Sequence, residues 1–196
     1  MDLKHLGDAL DHWKGSLIEL LGEKNLGVVR NLQLVPMLTD QKPWTQQNLE
    51  TYAKLLRRET NNIFRKDEPF SHSKNAPDSY LRNLGENDLF FDRDTGIAPD
   101  QNATIKHVKP SEVAWILGEA PTRMRMIYQH KWQRNKMTDT PKRVLLIEGL
   151  REFHGFAYNA DAVAMVLIPC DQVRVAKASQ RIRDWLGPIA SGRIIQ

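Results

Sequence analysis

Four aspartates stand close together in the middle of the chain, Asp88, Asp92, Asp94 and Asp100, within NDLFFDRDTGIAPD. Carboxylates so spaced can hold Mg²⁺, the cation a small nuclease uses to activate water and steady a leaving oxygen. The letters DRDTG also write an ordinary turn, in which aspartate oxygens accept from nearby backbone N–H groups. No E-x-K step accompanies them, so a restriction-type nuclease core is not indicated. His72 in HSK and His107 in HVK give two H-x-K steps, a pairing that can attack and protonate a phosphodiester. Asp78 falls one residue too near, and the Gly and Asn that should surround such steps are missing. Cys170 precedes a helical pattern, where a helix N-terminus would lower its pKa. A lone cysteine beside Ile168 is more simply a small core residue. The chain has no G-x-x-x-x-G-K-[ST], no G-x-G-x-x-G and no C-x-x-C, so no cofactor is expected.

Residues 110–132, PSEVAWILGEAPTRMRMIYQHKW, suggest a different activity. Ser111 can cap a first helix, Val113, Ile116 and Leu117 give it a buried face, and Ala114 is small enough for a second helix to cross. Gly118 stands where a tight turn needs positive φ. Pro121 suits the first position of the next helix. Met124, Ile127 and Tyr128 then recur at helical spacing. The pattern E-V-A-x-x-L-G followed by a basic stretch resembles the helix-turn-helix superfamily over these residues alone. The resemblance implies a second helix lying in the major groove of DNA. Thr122, Arg123, Arg125 and Gln129 would then face base edges. Lys131, Arg134 and Lys136 would meet phosphates, with Lys109 beside them.

The charge distribution agrees with an anionic partner. Residues 101–196 carry 15 Lys/Arg against 8 Asp/Glu, a balance of +7, while residues 1–100 carry 13 against 16, a balance of −3. Asymmetry of this kind points to nucleic acid, DNA rather than RNA on the resemblance above. With 41% hydrophobic and 27% charged residues the composition is that of a globular protein. No apolar run reaches the ~20 residues of a membrane span, and the N-terminus lacks the apolar core of a secretory signal. A single cysteine fits a reducing, cytoplasmic setting.

The elements that must position these residues are mostly helical by periodicity. Residues 2–22 carry Leu3, Leu6, Leu10, Trp13, Leu17, Leu20 and Leu21 at helical steps. Thr45 reads as the N-cap of a second helix with Leu49, Tyr52, Ala53, Leu55 and Leu56 on its apolar side. Residues 26–38 fit a strand or a short helix, ended by Pro36. LFFDR and ATIKHV suggest a hairpin about Asp94–Gly96. KRVLLIEGL and ADAVAMVLIP are short apolar runs, and residues 171–187 predict a final helix from Asp171 to Gly187. PIASGRIIQ reads as an edge strand or arm. The expected fold is therefore mainly α with a minor β component, a helical domain containing a helix-turn-helix-like unit. One compact unit of three parts is expected: a helical part over 1–60, a loop-rich stretch over 61–106 that suits protein partners, and a basic part over 107–196. The function that follows is non-enzymatic duplex DNA binding, with residues 1–22 available for homodimer pairing. The alternatives are a structural subunit of a nucleoprotein complex contacting RNA or DNA backbone, and a metal-dependent nuclease on the acidic cluster.

Overall fold

A computed structural model of the chain describes residues 3–22, 28–36, 44–64, 87–93, 95–98, 100–104, 106–119, 123–130, 156–159, 163–168, 172–190 and 193–195. Helix α1 spans Ala9–Leu21, α2 Gln46–Leu55, α3 Pro110–Glu119 and α4 Gln172–Leu186. The strands are β1 (Gln33–Val35), β2 (Leu89–Phe91), β3 (Gly96–Ile97), β4 (His107–Val108), β5 (Arg125–His130), β6 (Phe156–Asn159), β7 (Val163–Ile168) and β8 (Ile194–Ile195). Six of them form one sheet in the order β1-β2-β5-β7-β6-β8, and β3 pairs with β4 in a second. β1, β2 and β5 run parallel; β7, β6 and β8 complete the sheet antiparallel to their neighbours.

This is an α/β fold, and it corrects the mainly α expectation. The decisive segment is 123–130. Met124, Ile127 and Tyr128 fit helical spacing, but the same letters also alternate with a period of two. The chain follows the second pattern. Met124, Met126 and Tyr128 join the core cluster beneath the helices, while Arg125, Ile127 and Gln129 are buried outside it. A strand interior to a sheet is covered on both faces, so nearly every residue of β5 is buried. The helix-turn-helix unit is therefore not formed: its first helix is α3, and a strand stands in place of its second. The predicted hairpin is corrected for the same reason. Leu89, Phe90 and Phe91 are all buried, as a strand inside a parallel sheet requires, and β3 runs parallel to β4.

The core lies on one face of the six-stranded sheet. Leu34, Phe90, Met126, Met165 and Leu167 pack there against Leu17, Ile18 and Leu21 of α1, Tyr52 and Ala53 of α2, and Ala178 and Ile182 of α4. Each Leu, Ile, Met or Phe side chain among them contributes roughly 1.5–3 kcal/mol on removal from water. Ile97, Ala98, Val108 and Val113 are buried outside this cluster, and β3 packs against β5. The sheet draws β1 from residues 1–60, β2 from 61–106 and β5 to β8 from 107–196.

Local chemistry sets the helix ends. Asp8 caps α1, its side chain accepting from the N–H groups of Leu10 and Asp11, and the periodic stretch before it is only a 3-10 turn, Leu3–His5. Gly7, at φ +91°, breaks the two apart. Thr45 caps α2 in a reciprocal pair with Asn48. Gly187, at φ +59°, follows the last residue of α4. The Asp171 cap, Cys170 and the run 142–150 lie outside the described residues.

Gly15 sits in mid-helix, where glycine ordinarily costs about 1 kcal/mol relative to alanine. Its reason is α2. A Cβ there would drive into the Leu55 carbonyl oxygen and stand 3.1 Å from its carbon and 3.2 Å from Leu56 Cα. Gly15→Ala is expected to lower stability by about 1–3 kcal/mol despite its better helix propensity, read as a lower urea midpoint at unchanged slope.

Candidate functional site

The three parallel strands end at one edge, β1 at Val35, β2 at Phe91 and β5 at His130. In open α/β sheets ligands bind outside the carboxyl ends of the strands, where helix and loop starts converge. Asp92 follows β2 directly, and its N–H donates to the Val35 carbonyl, 3.0 Å, so it is fixed between two strand ends.

A buried charge network surrounds it. Lys14 Nζ, from α1, donates to Asp92 Oδ1 at 2.9 Å and Oδ2 at 3.1 Å, and to Asp11 Oδ1 at 2.9 Å. The Tyr52 hydroxyl, from α2, donates to Asp92 Oδ2 at 3.1 Å. The Gly7 N–H donates to Asp11 Oδ2 at 2.8 Å. Lys14 Nζ also stands 4.3 Å from the centre of the Tyr128 ring on β5, a cation–π contact. Burial works against the Lys14 charge, but Asp92 and Asp11 outweigh it and hold the ammonium above the ordinary lysine range. Burial holds the Asp92 carboxyl above the ordinary carboxylate range, with Lys14 pulling against it and Asp11 adding to the rise. Burial also lifts the Tyr128 phenol above its usual range, with Lys14 opposing and Asp92 adding to the rise. All four carboxylate oxygens thus have donors. The network anchors α1 and α2 to the strand ends.

The turn after Asp92 is held as firmly. Gln129 Oε1, from β5, accepts the Ile97 N–H at 2.7 Å, and Gln129 Nε2 donates to the Thr95 carbonyl at 3.2 Å. The Thr95 hydroxyl donates to the Lys106 carbonyl, tying the turn to the approach of β4. Arg93 is fully buried, its Nη1 3.9 Å from Glu112 of α3. Gly96 has φ +83°, and a Cβ there would meet Gln129 Oε1 at 2.6 Å and Gln129 Cα at 2.8 Å. The side-chain end could swing away, but the Cα could not. Gly96→Ala is therefore expected to break both Gln129 bonds and to cost about 2–4 kcal/mol from strain and overpacking together. Loss of exchange protection at the Ile97 amide would report it.

The opposite end of β2 holds a separate cluster. Asp88 accepts from the N–H groups of Arg30 at 2.5 Å and Met124 at 2.8 Å, and pairs with Arg174 of α4. Arg174 Nε also donates to the Val28 carbonyl at 2.9 Å.

These positions revise the expected sites. Asp88 and Asp92 stand at opposite ends of one strand and do not converge, which removes the basis for reading them as one cation site. Asp94 lies outside the described residues, and no group of three possible metal ligands occurs among the described ones. Arg123, Arg125 and Gln129 are buried, so they do not present themselves to base edges. Arg125 Nη1 donates to the Arg123 carbonyl at 2.5 Å, and Gln129 pins the turn. Lys109 is half-buried before α3, where its N–H donates to Glu112 Oε2 at 2.9 Å. Thr122, Lys131, Arg134 and Lys136 lie outside the described residues.

The pattern of residues missed Lys14, Asp11 and Tyr52. One signal was available: Lys14 falls within the apolar stripe of α1, between Leu10 and Ile18, where a cation is out of place unless paired. His130, half-buried at the end of β5, has its ring centre 6.4 Å from that of Tyr128. Compared with known protein families, characterised proteins and solved structures, the chain matches none. No helix among the described residues is long and apolar enough to cross a membrane.

Proposed function

We propose that this protein binds a small polar ligand at the carboxyl edge of β1, β2 and β5, against the turn 95–98 and His130. The observation that carries the reading is the turn itself. It leaves the end of an inner parallel strand and is gripped at two backbone groups by the buried Gln129. A loop fixed by a rigid scaffold at this edge is where α/β proteins place recognition. The buried charges support it, because apolar residues of like volume would give equal or greater stability at less desolvation.

Amide chemical shifts followed during titration with a panel of nucleosides, nucleotides, sugar phosphates and amino acids test the reading. A ligand of this edge should move Thr95, Ile97, Ala98 and His130 together, and His130→Ala should weaken its binding roughly tenfold, the effect of one polar contact. Shifts confined to α4, or none across the panel, would remove the reading.

A second reading keeps the nucleic-acid partner, by backbone contact rather than a helix in a groove. It is favoured by the +7 balance of residues 101–196 and by the exposed Lys177 and Arg183 on α4. Gel shifts with random duplex, single-stranded DNA and RNA at two salt concentrations test it. The double variant Lys177→Ala/Arg183→Ala should lower the salt slope by about two, one for each phosphate no longer neutralised. An unchanged slope would count against it.

A further inference from the structure

Three large apolar side chains are exposed among the described residues, Val173 at 62%, Trp185 at 49% and Ile189 at 68%. All three lie on α4 or on the 3-10 turn Gly187–Ala190 that follows it. Exposed apolar residues scattered singly are ordinary, but these are aligned. Val173, Lys177, Arg181 and Trp185 are spaced four residues apart along α4, so they stand in one row about 18 Å long. Ile189 comes four residues later, past Gly187. Lys177 is exposed and Arg181 half-buried, so two cations stand between the apolar ends of the row. The single acid of the helix, Asp184, accepts from Gln180 Nε2 at 2.7 Å.

We propose that this row binds a single strand of nucleic acid, with Lys177 meeting a phosphate beside Arg181 and a base stacking on the exposed Trp185 ring. The proposal rests on the backbone-contact reading above and narrows it to unpaired strands. A single strand presents anionic phosphates and open base faces along one line, and surfaces that hold it combine cations with aromatic rings. A duplex supplies the phosphates but hides its base faces in the stack. Other occupants suit the row less well. A second copy of the chain, crossing the middle of the row about a two-fold axis, would set Lys177 and Arg181 against their own copies. A helix that lies on an anionic bilayer keeps its cations on a polar face apart from its apolar one, whereas here both kinds share a row. An acidic peptide answers the cations but not the exposed ring.

Fluorescence anisotropy of a labelled oligothymidylate and of a random duplex of equal length, titrated with the full-length protein at several salt concentrations, tests the proposal. The parent should bind the single strand more tightly than the duplex. Trp185→Ala should weaken the single strand roughly tenfold, the worth of one stacked base, and the duplex little. Trp185→Phe should keep most of the affinity, because a phenyl ring still stacks. Neither change at Trp185 should alter the salt slope, whereas Lys177→Ala should lower it by about 0.7, the share of one phosphate on a single strand. Melting temperatures should stay within about 3 °C of the parent, since Trp185 and Lys177 are exposed. If Trp185→Ala binds the single strand as tightly as the parent, or loses single strand and duplex alike, the proposal fails and the backbone-contact reading stands. If neither nucleic acid binds, while phosphatidylserine vesicles or polyglutamate bind and lose affinity with Trp185→Ala, both fail and the row belongs to that other partner. If nothing binds, both fail.

Discussion

Lys14→Ala is expected to destabilise the protein by about 3–5 kcal/mol, the loss typical when one partner of a buried ion pair is removed. Two carboxylates, Asp11 and Asp92, are then left in the interior with their shared ammonium gone. Tyr52 and the Gly7 N–H still donate to them, but neither carries charge. The variant should recover part of the loss by taking up a proton. Its deficit relative to the parent, from urea unfolding, should be largest near neutral pH and should narrow toward pH ~4, where carboxyl groups protonate. In the parent the sign runs the other way on the alkaline side. Lys14 is held protonated beyond its ordinary value, so its contribution is complete below the unfolded value of ~10.4 and is lost only as pH rises above that. Adding Asp92→Asn to Lys14→Ala should restore stability, a coupling that a purely steric role for the lysine stem would not produce. A deficit below about 1 kcal/mol with no pH dependence would mean that the network is solvated in solution.

The sequence carried the local half of this structure and little of the rest. Thr45 was legible as a cap because its partner, Asn48, lies three residues away. Gly187 was legible as a stop, and the apolar stripes of α1, α2 and α4 were legible as helices. The residue pairs that make the site are far apart in the chain. Lys14 meets Asp92 across 78 positions, Tyr52 meets it across 40, and Gln129 meets Ile97 across 32. Nothing in a local window reports such a pairing. The largest error was one of period. RMRMIYQH offers a helical stripe and a strand alternation in the same letters, and only the neighbours decide between them. Here β2 and β7 flank the segment with matching registers, Phe90 beside Met126 and Met126 beside Leu167, and tertiary pairing overrides the helical alternative. The arginines then lose the exposure that made them look like readers of DNA.

Asp88 gives the other large effect, and its comparison with Lys14 separates scaffold from site. Asp88→Ala is expected to cost about 3–5 kcal/mol, because it removes the carboxylate paired with Arg174 and leaves the Arg30 and Met124 N–H groups without that acceptor. Asp88→Asn should recover little of this. Oδ1 serves Met124 while Oδ2 serves Arg30 and Arg174, so an amide can offer oxygen to only one side and must set its NH₂ against donors on the other. Arg174→Met in the Asp88→Ala background should add less than it costs alone, since the Asp88–Arg174 pair is already broken. Both clusters are buried and both brace the same three-residue strand, so unfolding curves alone would not tell them apart. Position does. Asp88 ties the start of β2 to the approaches of β1 and β5, away from the carboxyl edge. At a temperature where both variants remain folded, the Asp88→Asn protein should show the edge amides of Thr95 and Ile97 at their parent shifts, whereas Lys14→Ala should displace those around Asp92 and Tyr128. Equal disturbance at the edge by both would mean that β2 transmits strain along its whole length, and the separation between its two ends would not hold.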